Sequence, residues 1–178
     1  HLPLVKIQLF EHPQLWAEYQ GNGMEAYLTI STHFSAAHRL AHPDLNQEEN
    51  TEIYGKCARP NGHGHNYHLE VTVKGEIHPR TGMIVDLSAL NQVIEDLVTE
   101  PLDHTFLNKD IAYFAKVVPT AENIAVYISN ILQQPVRELG AELHKVKLIE
   151  SPNNSCEIYC TSANSMNTTS REPALARV

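Results

Sequence analysis

His63-Gly64-His65 stands where a glycine-rich stretch, Asn61-Gly62, runs into a segment of strand-like composition. In an extended chain residues i and i+2 project to the same side, so the two imidazoles converge on one point. His38, on the preceding strand or its edge, can supply a third nitrogen. Three histidines and no thiolate leave a zinc-type ion one free coordination position, the arrangement of an open, Lewis-acidic centre. A His-x-His pair beside a turn also suits a solvated loop; Gly62 and Gly64, which permit close backbone approach, favour the ligand reading. His12, His33, His42, His68, His78 and His144 have no comparable surroundings among the eleven histidines.

Two further groups have reactive chemistry. Cys57 lies in a polar loop, Tyr54-Gly55-Lys56-Cys57-Ala58-Arg59-Pro60, and its positive neighbours favour a thiolate able to take a proton. Asp103-His104 directly follows Pro101-Leu102, on a connection where side chains can face a cleft. An acid beside a histidine orients the ring and strengthens it as a base, although a capping Asp and a surface His also suit such a place. Glu150 ends the apolar run Val146-Lys147-Leu148-Ile149 and faces a turn. Glu122 opens a helix, where the dipole favours a carboxylate in any case. Cys156 and Cys160 share one face of an expected strand and read as core residues.

The elements that must position these groups follow from periodicity. Residues 27–34 and the alternation of Leu69, Val71 and Val73 with Glu70, Thr72 and Lys74 predict two long strands. Between them, 41–56 is a polar, acidic excursion with a helical turn. Asp86 is the expected N-cap of a helix with apolar face Leu87, Leu90, Ile94, Leu97 and Val98, stopped by Pro101. A second helix starts near Thr120, carries Ile124, Ile128, Ile131 and Leu132, and closes at Gln133-Gln134-Pro135. Val146–Ile149 and Cys156–Tyr159 then form a hairpin around Pro152-Asn153-Asn154. The order ββααββ is α+β, an antiparallel sheet with two helices on one face. Residues 1–25, with Pro3, Pro13 and the turn Gly21-Asn22-Gly23, read as an arm; 26–160 is the domain; the Ser/Thr/Asn-rich 161–178 reads as a flexible tail.

Composition narrows the function. A chain of 178 residues suits one domain plus tails. No apolar run approaches the roughly 20 residues of a membrane-spanning helix, so no membrane partner is expected. Thirteen Lys and Arg against twenty-one Asp and Glu give a net charge of −8, with the basic residues scattered, which argues against nucleic acid. Three cysteines cannot pair completely within one chain, and a domain of this size needs no staple, so a reducing, cytoplasmic setting is expected.

Phe34-Ser35-Ala36-Ala37-His38-Arg39-Leu40, Tyr54-Gly55-Lys56-Cys57 through Asn61-Gly62-His63-Gly64-His65-Asn66-Tyr67, Thr81-Gly82-Met83, Pro101-Leu102-Asp103-His104 and Pro119-Thr120-Ala121-Glu122-Asn123 occur in order between about residues 27 and 160. Together they resemble the 6-pyruvoyl-tetrahydropterin synthase family. The resemblance implies the tunnelling fold, in which ββααββ subunits close into a trimeric barrel and two trimers stack into a homo-hexamer with active sites at the seams. It implies His38, His63 and His65 as zinc ligands, one ion per subunit, and Cys57, Asp103 and His104 as the proton-transfer triad, the last two reaching the site from a neighbouring subunit. Glu150 matches the pterin-anchoring glutamate, and Thr120 and Glu122 match positions that assist it.

The implied reaction converts 7,8-dihydroneopterin triphosphate to 6-pyruvoyl-tetrahydropterin with loss of triphosphate, in tetrahydrobiopterin biosynthesis. It needs no redox cofactor, because hydrogens move within the substrate. Related enzymes form 6-carboxy-tetrahydropterin for queuosine, usually with shorter spacings than the 39–56 and 58–62 intervals here. A branch with glutamate in place of the cysteine serves folate synthesis, and Cys57 argues against it. A non-catalytic pterin- and zinc-binding module is a further alternative, against which the intact Cys57, Asp103 and His104 count.

Overall fold

Two fourteen-residue strands, β3 (Glu25–His38) and β4 (His63–Glu76), dominate the computed structural model, which describes residues 5–21 and 23–161. They pair antiparallel without interruption from Glu25 opposite Glu76 to His38 opposite His63. Before them lie β1 (Ile7–His12) and β2 (Leu15–Tyr19); after them come β5 (Thr105–Phe106), β6 (Glu142–Ser151) and β7 (Asn154–Tyr159). The sheet runs β1-β2-β3-β4-β6-β7, with β5 parallel to Ala36–Ala37 of β3. Apart from that short strand all neighbours are antiparallel.

Three helices matter for the site: α1 (Gln47–Tyr54), α2 (Leu87–Ile94) and α3 (Ala121–Glu138). The expected N-caps are in place: Asp86 accepts a bond from the Ala89 N–H at 3.1 Å, and Thr120 accepts one from the Asn123 N–H at 3.3 Å. Leu90 and Ile94 of α2 and Ile124, Ile128, Leu132 and Val136 of α3 pack on Phe34, Tyr67, Leu69, Val71, Val146 and Leu148 of the sheet. The core is therefore a single layer of apolar side chains between helices and sheet, as α+β patterning requires. The opposite sheet face is polar, with Thr29 and Thr72 hydroxyls 2.8 Å apart and Lys147 3.1 Å from Glu70.

Three local expectations change. Pro101 does not stop its helix: a wide turn over Glu95–Thr99 leads into a last helical turn, Glu100–Leu102, with the proline at its start. A missing N–H costs little there, and Leu102 is fully buried. Likewise α3 continues past Pro135 to Glu138, because Val136 extends its apolar stripe into the core. Within the expected arm, β1 and β2 form a hairpin on the outer edge of β3, from Tyr27 to Ile30, with Phe10 stacked on Trp16 at 5.4 Å. The expected tail lies outside the described residues from 162 onward.

The 41–56 excursion folds around one buried side chain. Asn46 and Glu49 close a capping box at the start of α1. Asn50, 2% exposed, accepts from the His42 N–H at 2.7 Å and donates among the His42, Leu45 and Asn46 carbonyls at 2.9–3.2 Å. Asn50→Ala leaves these groups unpaired and is expected to destabilise the fold by roughly 1–3 kcal/mol. Denaturant unfolding measures the loss, and amide exchange over 40–58 shows it centred on this excursion.

Candidate active site

The pairing of β3 and β4 carries the three histidines expected to hold a metal. In register, His38 is opposite His63 and Ala36 is opposite His65, so all three imidazoles lie on the core-facing side at one end of the sheet. Their rings pack edge to face, 4.5 to 5.1 Å apart between centroids. One nitrogen from each falls within 4.8 Å of the others, and the group can hold a metal ion. His38 and His63 bring their Nε2 atoms to 3.1 Å. A tetrahedral zinc-sized ion, about 2.0–2.1 Å from each nitrogen, holds its donors about 3.3 Å apart.

Three observations prepare these rings for an ion. His38 Nδ1–H donates to the Pro119 carbonyl at 2.7 Å, which leaves Nε2 as the lone pair aimed at the cluster. His65 Nε2 is buried and has no hydrogen-bond partner, a cost a bound cation would remove. Burial, followed by the neighbouring histidines, holds His38 below the usual imidazole range despite Pro119 and Glu150; burial and His65 do the same for His63. Both rings are neutral at neutral pH, the form that ligates.

Glu150, near the end of β6, closes one side. Its Oε1 is 3.6 Å from His38 Nε2 and 3.9 Å from His65 Nε2, and its Oε2 accepts from Asn154 Nδ2 at 2.6 Å. Two residues absent from the expected set also hold the cluster. Pro119, just before α3, orients His38 through its carbonyl. Tyr67 is fully buried, with its hydroxyl 3.3 Å from His38 Nδ1. Burial and then the Glu150 carboxylate push its pKa up. The Tyr67 signal was present in the alternation His63, His65, Tyr67; a backbone carbonyl such as that of Pro119 has none.

Cys57 sits on a single helical turn, Gly55–Ala58, directly after α1. Its thiol is free and half-buried, and its carbonyl accepts the Leu40 N–H at 3.0 Å, which ties the turn to the end of β3. The adjacent Arg39 donates through Nε to the Ala58 carbonyl at 3.0 Å and through Nη2 to Gln47. Asn108 grips the Arg39 backbone at both N–H and carbonyl. Among the described residues no hydrogen bond joins Cys57 to the histidine cluster.

Asp103 and His104 follow the last turn after α2. His104 Nδ1–H donates to Asp103 Oδ2 at 2.6 Å, and the other carboxylate oxygen accepts the Ser35 N–H at 2.7 Å. That backbone bond, then His104, holds the Asp103 carboxyl below its ordinary range, so it is ionised and orients the ring. His104 has φ of 55°, a left-handed conformation kept by its N–H bond to the Ser35 carbonyl at 2.6 Å. Its side chain is 83% exposed and lines a groove of about 420 Å³ with Ser35, Gly64, His65 and Thr105. Thr120 is occupied as the α3 cap, and exposed Glu122 lies close enough to Cys156 to help raise that thiol's pKa, after burial. Neither touches the cluster through a hydrogen bond or ion pair among the described residues.

The family model described as 6-pyruvoyl tetrahydropterin synthase matches residues 27–160, three quarters of the chain. The chain belongs to this family. A 6-pyruvoyl tetrahydrobiopterin synthase of Poecilia reticulata is 56% identical over 129 residues, 72% of this chain and 86% of the relative. The solved 6-pyruvoyl tetrahydropterin synthase of Caenorhabditis elegans superposes with a TM-score of 0.72 at 36% identity, covering 77% of this chain and 96% of that one. A putative 6-carboxy-5,6,7,8-tetrahydropterin synthase of Archaeoglobus fulgidus is 31% identical over 134 residues, 75% of this chain and 96% of the relative, so the pyruvoyl type is favoured.

Gly62 makes the approach of His63 to His38 possible. Its φ is +65°, and a Cβ there would stand 2.5 Å from the His38 carbonyl oxygen and 2.6 Å from the Phe106 ring. A left-handed alanine alone costs roughly 1–2 kcal/mol, and the clash falls on the backbone that carries His38. Gly62→Ala is expected to weaken metal binding by at least about tenfold. Metal retained after dialysis against graded chelator checks this, beside a thermal melt.

Proposed function

We propose that this chain is a zinc-dependent lyase that converts 7,8-dihydroneopterin triphosphate to 6-pyruvoyl-tetrahydropterin and releases triphosphate. The observation that carries the reading is the three-histidine cluster with its orphaned His65 nitrogen and the Glu150 carboxylate against its edge. His38, His63 and His65 would hold the ion. A zinc ion at that position supplies Lewis acidity to the substrate's side-chain hydroxyls and makes the adjacent C–H easier to deprotonate.

The remaining work belongs to the chain's own groups. Glu150 accepts two hydrogen bonds, from the pterin amino group and a ring N–H, and fixes the ring for proton transfer at its side chain. Thr120 and Glu122, at the start of α3, assist in holding the ring. Cys57 removes the carbon-bound proton, and His104, oriented by Asp103, moves protons to and from the side-chain oxygens. Hydrogens are redistributed within the substrate while triphosphate leaves, so no redox cofactor is required.

The Asp103–His104 pair serves a neighbouring subunit. Its support is the position on the outer edge of β3 and the 83% exposure of His104, which leaves the imidazole facing outward. Three such subunits, each with residues 26–160 as the catalytic unit, close into a barrel, and two trimers stack into a hexamer. The three free cysteines support a reducing, cytoplasmic setting. No helix of the described residues is long and apolar enough to cross a membrane.

Zinc-loaded protein incubated with the dihydroneopterin triphosphate should release triphosphate and give the pyruvoyl product by mass. Cys57→Ala is expected to lower turnover by at least about 10²-fold with zinc retained. A carboxy product would assign the queuosine-type reaction, and no turnover with zinc bound would favour a binding module. Mixing inactive Cys57→Ala with inactive Asp103→Asn after subunit exchange should restore activity; mixtures that stay inactive would contradict a shared site.

A further inference from the structure

The β1–β2 hairpin lies outside the residues that match the family model, and no role described above uses it. It is held mainly by backbone pairing. β2 runs antiparallel to β3, with Leu15 opposite Ile30, Trp16 opposite Thr29, Ala17 opposite Leu28 and Glu18 opposite Tyr27. The Ser31 N–H extends this ladder to the Gln14 carbonyl at 2.8 Å. Of the described hairpin residues Leu15 alone packs on the core cluster, and β1 is exposed along its whole length. Grooves of about 340 and 690 Å³ lie along its two faces. A segment rich in strand hydrogen bonds and poor in apolar burial opens well before the core does.

The opposite edge of the sheet is β7, which pairs with β6 on one side and is open on the other among the described residues. Its side-chain pattern matches that of β2. Cross-strand partners share a face. Cys156 and Ile158, opposite Leu148 and Val146, therefore lie on the helix side, and Glu157 and Tyr159, opposite Lys147 and Lys145, on the polar side. In β2, Leu15 and Ala17 lie on the helix side, and Trp16 and Glu18 on the polar side. Each strand thus turns two apolar residues to one face, and an acid and an aromatic ring to the other. Directions agree as well. β3, β4, β6 and β7 alternate, so a copy that continued the sheet would bring its β7 antiparallel to β3, as β2 now lies, with its helices on the same face.

We propose that the β1–β2 hairpin is an edge guard: it occupies the stretch of β3 from Tyr27 to Ser31 on which β7 of a second copy pairs, and assembly displaces it. This rests on the proposed site shared between subunits and adds what governs its formation. The Asp103–His104 pair supplies the reason for displacement, because it is mounted on the same outer edge, at Ser35. Strands stand about 4.7–4.9 Å apart, so a partner docked on β1 instead would hold its histidine cluster about 10 Å farther from this pair. The hairpin is tethered beside the edge it covers. A partner must therefore compete with an effective concentration of about millimolar, which makes assembly depend on protein concentration.

The ladder shows how to loosen or lock the guard. Ser31 and Gln14 form a hydrogen-bonded pair, so by alternation Tyr27 and Glu18 do too, and the Glu18 N–H points at β3. Glu18→Pro removes that donor and detaches the hairpin. Ala17→Cys combined with Leu28→Cys does the reverse. Such a non-hydrogen-bonded pair has Cα atoms about 4.5 Å apart, within disulfide reach, so mild oxidation locks the hairpin on β3 and reduction frees it.

The experiment measures mass by light scattering on the full-length protein over a wide dilution series, with the unsubstituted chain carried through the same oxidation as control for its own cysteines. Glu18→Pro should assemble at a protein concentration at least about tenfold lower than the unsubstituted chain. The oxidised double variant should stay a monomer and assemble on reduction. Locked protein that assembles as readily as its reduced form would overturn the guard and leave the shared site to another edge. So would Glu18→Pro with a normal thermal melt and an unchanged assembly midpoint. A monomer in every form at every concentration would overturn the shared site together with the guard; mass is read without turnover, so none of these outcomes depends on the zinc chemistry.

Discussion

The antiparallel register of β3 against β4 is the constraint on which the rest of the molecule depends. Side chains alternate strictly along a strand, so a slip of one residue would send His63, His65 and Tyr67 to the polar face and bring Gly64, Asn66 and His68 inward. The register is enforced over fourteen positions, and its enforcement is apolar: Ile30, Phe34, Leu69, Val71 and Val73 all enter the helix-covered layer. The histidines sit at the far end of that pattern and inherit its phase. Three imidazoles gathered in one place offer no net attraction of their own, and the buried, unpartnered His65 nitrogen is a local cost. The long hydrophobic ladder is what holds them together until a cation can offset it.

This explains which parts were legible in the sequence. Period-two alternation through Leu69, Val71 and Val73 and the period of Ile124, Ile128 and Leu132 are dictated by burial, and burial writes itself into residue type. The His-Gly-His spacing was legible for the same reason. Helix ends were less so, because Pro101 and Pro135 are local signals, and both were outweighed by an apolar residue one position later, Leu102 and Val136. The β1–β2 hairpin was not legible. Its apolar residues Ile7, Leu9 and Phe10 remain exposed, so no buried face imposed a pattern on 5–21. Backbone partners such as the Pro119 and Ser35 carbonyls leave no mark on residue identity at all.

Tertiary packing also decides how the second half of the chain reaches the site. The Thr120 cap fixes the first turn of α3, and the residue before it turns its carbonyl to His38. A helix held by Ile124, Ile128, Leu132 and Val136 thus sets the tautomer of His38, eighty-one residues before Pro119 in the chain. Glu150 comes from β6 by its register with β4, Ile149 opposite His68. The three histidines and the Glu150 carboxylate are therefore parts of one sheet, with one helix terminus as the outside reference, and their separations are as rigid as the core between them.

The Asp103–His104 pair follows a different rule with the same result. A non-glycine residue at φ of 55° persists only where its surroundings over-determine it. Here both backbone groups of Ser35 do so, one through the Asp103 carboxylate and one through the His104 N–H. Ser35 is three residues before His38 on the same strand, so the dyad and His38 are mounted on one rigid element while facing different directions. If a neighbour's dyad completes each site, its distance from the metal is set by how strand edges meet between subunits and by nothing flexible in the dyad itself. Strain at His104 then has a use: it aims an imidazole away from its own sheet, and the strand edge that holds the strain also fixes where that imidazole is delivered.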